Sequence, residues 1–489
     1  MKYDYRYIAR IVLEAETPLV VGGGNNELST DRPVAKDANG LPYIPGTSLT
    51  GVLRHALFTG KLGDEKAIQK LNDILGYQDD EEQDKSLGSR IAISSAHLIG
   101  KEGKVYDGLL SLTDVTDDFI DHFLHLPVRQ HVRITHRGVA DTKEKGKFDE
   151  EVLYKGTRLI LEIEMKGNKE SSSEDKFIFE EFLRVFAHPD FRIGSGSRKG
   201  FGRIKIKNIS QQHLDLSVPG QRNIYLEHSS CLDSPFNGDK LMQVENGKTK
   251  YIRYTLDLKP EDFYLFSSAD KGNSANKEDT ADMTPVTEKE LTWDNPDNPD
   301  FSEELVLIPA SSVIGALSHR VAYHYNKKKG IFADMLPKGK TVQDYTGENN
   351  EAVKVLFGEA SKFSDNNPGH IGNVLPSDVF LKEAKNQKKL EHVAIDRFTG
   401  GGIDGALFNE NVINDKSPFR LEFNLDNTFC GAPENLVKDT IIEAFETALK
   451  DICSGCLPLG GGTMRGHGVF NGSLKKIEDG KEKVLYSDQ

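Results

Sequence analysis

Apolar residues at Ile8, Ile11, Leu13 and Ala15 fall at roughly alternating positions along the stretch from Arg6 to Val21. That period belongs to a strand with one buried face. A glycine-rich loop follows, Gly22-Gly23-Gly24-Asn25-Asn26. Pro45 then ends the extended chain, because proline lacks the N–H that a helix or strand interior needs. Leu49, Val52, Leu53, Ala56 and Leu57 recur at helical spacing. A helix is expected to begin here, with Thr47 and Ser48 as its N-caps. The unpaired N–H groups of its first turn would suit a phosphate.

The same pattern then returns. Tyr251 to Phe266 reads as a strand, Pro309 ends the extended approach, Ser311 and Ser312 stand as caps, and Val313, Leu317 and Val321 mark a helix. Each copy continues with a short apolar run closed by glycine, Ile74-Leu75-Gly76 and Leu356-Phe357-Gly358. Each then has a strand, Ile91-Ala92-Ile93-Ser94 and Ile371-Gly372-Asn373-Val374. Each has a polar loop before a further strand, with Phe148 and Val152 matching Phe408 and Val412. A late helix follows, Phe177 to His188 and Val437 to Ile452. The order per copy is β-α-β-β-α-β, that of ferredoxin-like and RRM-like folds.

Three motifs pin the two copies to each other. Ile44-Pro45-Gly46-Thr47-Ser48 returns as Ile308-Pro309-Ala310-Ser311-Ser312, His131-Val132-Arg133-Ile134 as His392-Val393-Ala394-Ile395, and Gly194 to Gly202 as Gly460 to Gly468. The displacements are 264 (Pro45 to Pro309), 261 (His131 to His392) and 266 (Gly200 to Gly466). Solenoid units are far shorter, so a whole domain is duplicated. The expected architecture is α+β, with two ferredoxin-like or RRM-like domains in tandem over residues 1–207 and 251–489. A turn-rich linker over 208–250 joins them. The Asn- and Asp-rich stretch 270–300 reads as a mobile loop inserted in the second copy.

Composition narrows the function. The 489 residues carry a net charge of −14, with 37% hydrophobic and 28% charged residues. This is an ordinary globular balance, and the acidity argues against indiscriminate nucleic-acid binding. Positive charge nevertheless gathers at Arg129, Arg133, His136 and Arg137, and again from Arg192 to Lys207. No apolar run is long enough to span a bilayer, and Met1 to Arg6 lacks a secretory apolar core. No membrane partner and a cytoplasmic location are therefore expected. Four cysteines in this length make no disulfide framework. Cys453-Ser454-Gly455-Cys456 lacks two further ligands at matching spacing, so helix-end packing is expected rather than zinc.

The motifs in this order resemble the RAMP superfamily, the backbone subunits of type III CRISPR effector complexes. The resemblance is carried by Asp31-Arg32-Pro33-Val34, by Leu41-Pro42-Tyr43-Ile44-Pro45-Gly46-Thr47-Ser48-Leu49 and by Gly196-Ser197-Arg198-Lys199-Gly200-Phe201-Gly202, and it extends over both halves. It implies two RAMP domains with inserted loops and thumb-like hairpins, holding guide RNA (crRNA) through its backbone and passing the hairpins through the guide–target duplex. Other type III subunits are the implied partners, with target RNA as substrate.

It further implies an endoribonuclease site in the loop after the first strand. Asp31 falls on that position, as a carboxylate that holds Mg²⁺ (or Mn²⁺) or takes a proton from a 2′-hydroxyl. Asp282 is the nearest match in the second copy, with one extra residue before Pro285, and Asp279 is the alternative. The plain reading of either is a loop aspartate in an Asx-turn. Candidate RNA contacts are Ser48, Arg54 and Ser312 at and near the helix starts, Arg133, His136, Arg137 and Arg397 in the hairpin regions, and Gly196, Arg198, Lys199, Gly200, Gly462, Arg465 and Gly466 in the glycine turns. A non-catalytic guide-RNA scaffold or capping subunit is the alternative. A stand-alone nuclease using His131 or His136 as general base is a further one.

Overall fold

The computed structural model describes residues 3–24, 30–59, 65–78, 86–111, 117–141, 146–240, 249–268, 281–295, 298–359, 369–384, 386–429 and 438–488. The first half runs β1 (Tyr5–Ala15), α1 (Gly46–Thr59), β2 (Ile91–Ile93), a hairpin of β3 (Val128–Val132) and β4 (Lys147–Glu151), then β5 (Arg158–Gly167), α2 (Ser172–Ala187) and β6 (Ile204–Asp215). Its sheet has the order β2-β5-β1-β6 with antiparallel neighbours. The first strand thus lies in the middle of the sheet, as the β-α-β-β-α-β order requires.

The alternation in β1 buries Tyr7, Ala9, Ile11, Leu13 and Ala15 on one face. Leu49, Leu53 and Leu57 of α1 and Phe179, Phe182, Leu183 and Phe186 of α2 pack on that face. Each fully buried Leu, Ile or Phe side chain of this set contributes about 1.5–3 kcal/mol. The opposite face is covered from within the stretch expected to be a linker. β6 runs past residue 207 to Asp215, and a helix follows at Pro219–Leu226. Arg10, on the back of β1, donates to the carbonyls of Ser229 and Cys231 at 3.0 and 3.1 Å.

The second half repeats the plan with β7 (Tyr251–Pro260), α3 (Ala310–Lys329), β8 (Val374–Pro376), a hairpin of β9 (Gln387–Ile395) and β10 (Gly402–Ile413), then β11 (Phe419–Asp426), α4 (Lys438–Cys453) and β12 (Phe470–Glu478). Sheet order is again β8-β11-β7-β12. Leu317 and Val321 of α3 and Phe445, Leu449 and Cys453 of α4 fill its core.

Two expectations need correction. The serine and threonine side chains do not cap the helix starts. α3 has Pro309 at its N-cap position. The carbonyls of Pro45 and Pro309 accept from Ser48 and Ser312, which lie inside the first turn. The leading amides are taken from elsewhere: Gly46 N–H donates to Ser95 Oγ and Ala310 N–H to Asp378 Oδ1. These amides are therefore already bonded and are not open to a phosphate.

The described part of the insertion, 281–295 and 298–301, is not a loose loop either. Strands Leu291–Asn295 and Asn298–Phe301 pair as a hairpin, and Leu291 joins the first half's core with Trp293 and Phe301 against it. Trp293 Nε1 donates to Gly156 O at 2.8 Å, and Arg158 sits 3.9 Å from the Trp293 ring centre. Polar composition hid three large apolar side chains that bury on the other half. No helix among the described residues is long and apolar enough to cross a membrane.

Candidate functional site

In the first half the site is built at the base of the β3–β4 hairpin. Asp149 of β4 and Asp31 bond each other reciprocally through their main chains. Asp31 N–H donates to Asp149 Oδ1 at 2.7 Å, and Asp149 N–H donates to Asp31 Oδ2 at 3.1 Å. Glu151 N–H donates to Arg32 O at 3.0 Å, and Val34 N–H to Glu151 Oε2 at 3.0 Å. The loop carrying Asp31 is thereby held against β4, with one parallel bridge from Arg32 to Glu150. Asp31 remains exposed.

The second half repeats the reciprocal pair and the main-chain bond beside it, with Asn411 N–H donating to Met283 O at 2.9 Å. Asp282 N–H donates to Asn409 Oδ1 at 2.9 Å, and Asn409 N–H donates to Asp282 Oδ2 at 3.0 Å. Met283 bridges Glu410 in parallel, as Arg32 bridges Glu150. Asp282 is therefore the geometric counterpart of Asp31, despite the extra residue before Pro285. Asp279 lies outside the described residues. The pairs differ in one respect: the first has two carboxylates and the second a carboxylate and an amide.

Beneath each aspartate lies a buried glutamate. Glu150 is 1% exposed and Glu410 is fully buried. Glu150 Oε1 accepts from Lys199 Nζ at 2.6 Å, and His131 Nε2 lies 2.7 Å from the same oxygen. Glu410 is met by Arg465 at 2.6 Å and His392 Nε2 at 2.9 Å. The histidines stack on Phe148 and Phe408, with ring centres 4.9 and 4.8 Å apart. Burial alone would raise the Glu150 pKa, but His131 and Lys199 hold it below the ordinary glutamate value.

The two glycine turns share one backbone and differ in surroundings. Gly196 and Gly200, and Gly462 and Gly466, all have left-handed φ, between 68° and 95°. The first turn faces inward. Arg198 donates to the carbonyl of Phe357 in the second half. A Cβ on Gly200 would lie 2.9 Å from Ala310 Cβ. Arg198 and Gly200 thus serve the seam between halves, and Lys199 is occupied by Glu150. These contacts are nonlocal, so the sequence alone does not show them. The second turn is open: nothing lies within 4 Å of a Cβ on Gly466, and Met464 is 99% exposed.

The remaining candidates separate in the same way. His136 and Arg137 are exposed at the tip of the first hairpin, and Arg397 at the tip of the second. Arg133 is half exposed, 3.5 Å from Asp141 and from Glu348. Arg54 is spent within its domain, on Gly76 O at 2.7 Å and Asn72 Oδ1 at 3.0 Å. Ser48 is half-buried and Ser312 exposed on their helices. His131 faces Glu150 with its side chain only 10% exposed, a poor place for a general base acting on RNA. The sequence reading did not single out Asp149, Glu150, Asn409 or Glu410. The signal was present, since Phe148-Asp149-Glu150-Glu151-Val152 and Phe408-Asn409-Glu410-Asn411-Val412 keep Phe, Glu and Val in register.

Comparison with known proteins adds family to geometry. The model of the RAMP superfamily matches residues 12–205 and 294–471, one stretch in each half. The CRISPR system Cms endoribonuclease Csm3 of Methanocaldococcus jannaschii is 30% identical over 214 residues, covering 40% of this chain and 77% of that protein. Among solved structures, a chain of "Type III-B Cmr-beta Cryo-EM structure of the Apo state" aligns with 42% of this chain and 98% of its own, at 14% identity and a TM-score of 0.31. The matches in both halves, on two copies of one sheet and one hairpin-based site, make this chain a member of the RAMP superfamily with its family domain present twice.

Proposed function

We propose that this chain is a guide-RNA-binding backbone subunit of a type III CRISPR complex and cleaves target RNA at two sites. The observation that carries the reading is the repeated geometry. Asp31 and Asp282 are the exposed carboxylates that each half fixes by reciprocal main-chain bonds to its own hairpin. The curated relative's name, an endoribonuclease of a CRISPR system, is in keeping with this.

In the proposed reaction the target's 2′-hydroxyl attacks the adjacent phosphorus. The bond to the 5′-oxygen breaks, leaving a 2′,3′-cyclic phosphate and a 5′-hydroxyl. The carboxylate of Asp31 or Asp282 holds or accepts the departing 2′-proton. The reciprocal bonds keep each carboxylate in one place before the substrate arrives, which lowers the cost of reaching attack geometry. Sequence choice is left to base pairing with the guide.

The Asp31–Asp149 pair also suits a hard divalent cation. Mg²⁺ takes one or two carboxylates and fills its shell with water and phosphate. Among the described residues no three His, Cys, Asp or Glu side chains form a protein-only cage, which Mg²⁺ does not need. Such an ion would neutralise charge on the phosphate as it develops.

The test is cleavage of end-labelled target RNA by the assembled complex with Mg²⁺. The wild type should cut, and both EDTA and the double substitution Asp31→Ala/Asp282→Ala should stop it. An unchanged ladder in the double variant would leave the chain as scaffold and assign cutting to another subunit.

A further inference from the structure

The buried glutamates have no part in the chemistry just described, yet each touches every element that the chemistry needs. A buried carboxylate is costly unless fully paired, and apolar replacement is often no less stable. The fold nevertheless buries one at this place twice. The main chain of Glu150 lies in β4, bridged to Arg32 beside Asp31. Its side chain meets Lys199 of the glycine turn and His131 of β3. Glu410 does the same with Met283 beside Asp282, Arg465 of the second turn and His392 of β9. His467 Nδ1 adds a contact at 3.7 Å.

What varies between the halves is informative. The cation changes from Lys199 to Arg465, the residue after the aspartate from Arg32 to Met283, and the aspartate's partner from Asp149 to Asn409. The glutamate, the histidine and the phenylalanine under the histidine are the same. One turn is closed against the other half and one is open, so the interface between halves is not what the glutamate serves.

We propose that Glu150 and Glu410 are positioning residues. Each ties the glycine turn and the hairpin to the loop segment that carries its aspartate, and so sets where the scissile phosphate lies relative to Asp31 or Asp282. This rests on the reading of those aspartates as cleaving residues. The carboxylate acts through the turn and hairpin and does not touch RNA.

The experiment measures both cuts in the assembled complex, with labelled target RNA varied in concentration, for Glu150→Gln and Glu410→Gln. Asp31→Ala and Asp282→Ala assign each product to its site. Glu150→Gln should slow the Asp31 cut at least tenfold at saturating target, leave the half-saturating target concentration unchanged, and spare the Asp282 cut. Glu410→Gln should do the reverse. The spared cut reports in the same tube that the chain is folded and loaded. Equal loss of both cuts, or a rise in half-saturating concentration alone, would make the glutamates general structural or binding residues and overturn the proposal, as would an unaltered rate. If Asp31→Ala itself removed no product, the cleavage reading would fail, and the positioning proposal with it. If Asp31→Ala removed its product and Glu150→Gln did not slow it, only the positioning proposal would fail.

Discussion

Gly200 and Gly466 occupy equivalent places in the two glycine turns, at φ 95° and 88°. A side chain at either is strained, by roughly 1–2 kcal/mol for a left-handed L-residue. Only Gly200 has neighbours from the other half, with Ala310 Cβ 2.9 Å and Asp378 N 3.3 Å from an added Cβ. Gly200→Ala is therefore expected to destabilise the chain by the backbone term plus a steric one. Gly466→Ala should cost the backbone term alone. Urea unfolding of the two variants checks this, and equal losses would mean the seam at Gly200 yields freely.

Among secondary elements, the insertion binds the halves by burial. Trp293 combines a hydrogen bond to Gly156 O with the Arg158 contact, and the Gly156 backbone lies against Leu291 O. Trp293→Ala should cost about 2 kcal/mol, less than for a fully buried tryptophan because this one is half-buried. Amide hydrogen exchange should rise selectively across Leu291–Phe301. Exchange left unchanged there would mean that Leu291 and Phe301 hold the hairpin without it. The same element shows where the sequence stops being legible. The β-α-β-β-α-β order could be read because alternation in β1 and helical spacing after Pro45 are local properties. The hairpin around Trp293 could not, because its Asn, Asp and Pro content is that of a loop and the surface it buries belongs to a distant segment. At the candidate site, Asp31 and Asp282 are singled out by the family resemblance of the motifs around them. Glu150 and Glu410 sat within matched segments, but burial is not written in a lone glutamate. The inward fate of Arg198 depends on Phe357, far along the chain.

Over the whole molecule, one buried guanidinium joins the halves. Arg129 of β3 donates to Glu288 at 2.8 and 2.9 Å and to Asp378 at 2.6 Å. Burial would lower its pKa, but Asp378 and Glu288 raise it well beyond the ordinary arginine value, so it stays charged. Asp378 also caps α3, so the lock and the start of that helix are one structure. The first hairpin continues across the second half, with Ile134 O 3.3 Å from His319 Nε2. Arg129→Ala would leave two carboxylates buried without their cation. The expected loss is about 3–5 kcal/mol, read by urea unfolding, and an unchanged midpoint would exclude the lock from the stability of the tandem. The second half has Leu390 where the first has Arg129, and its hairpin leaves Phe398 90% exposed. The two domains are thus alike at their sites and unlike at the surfaces that order them.

Single substitutions separate two independent cleaving sites in one chain from any other arrangement. In the assembled complex with Mg²⁺, Asp31→Ala should remove one product from the cleavage ladder and leave the other at its wild-type rate. Asp282→Ala should remove the second product and spare the first. A single substitution that removes both products, or a pair that removes neither, would rule out two independent sites in this chain.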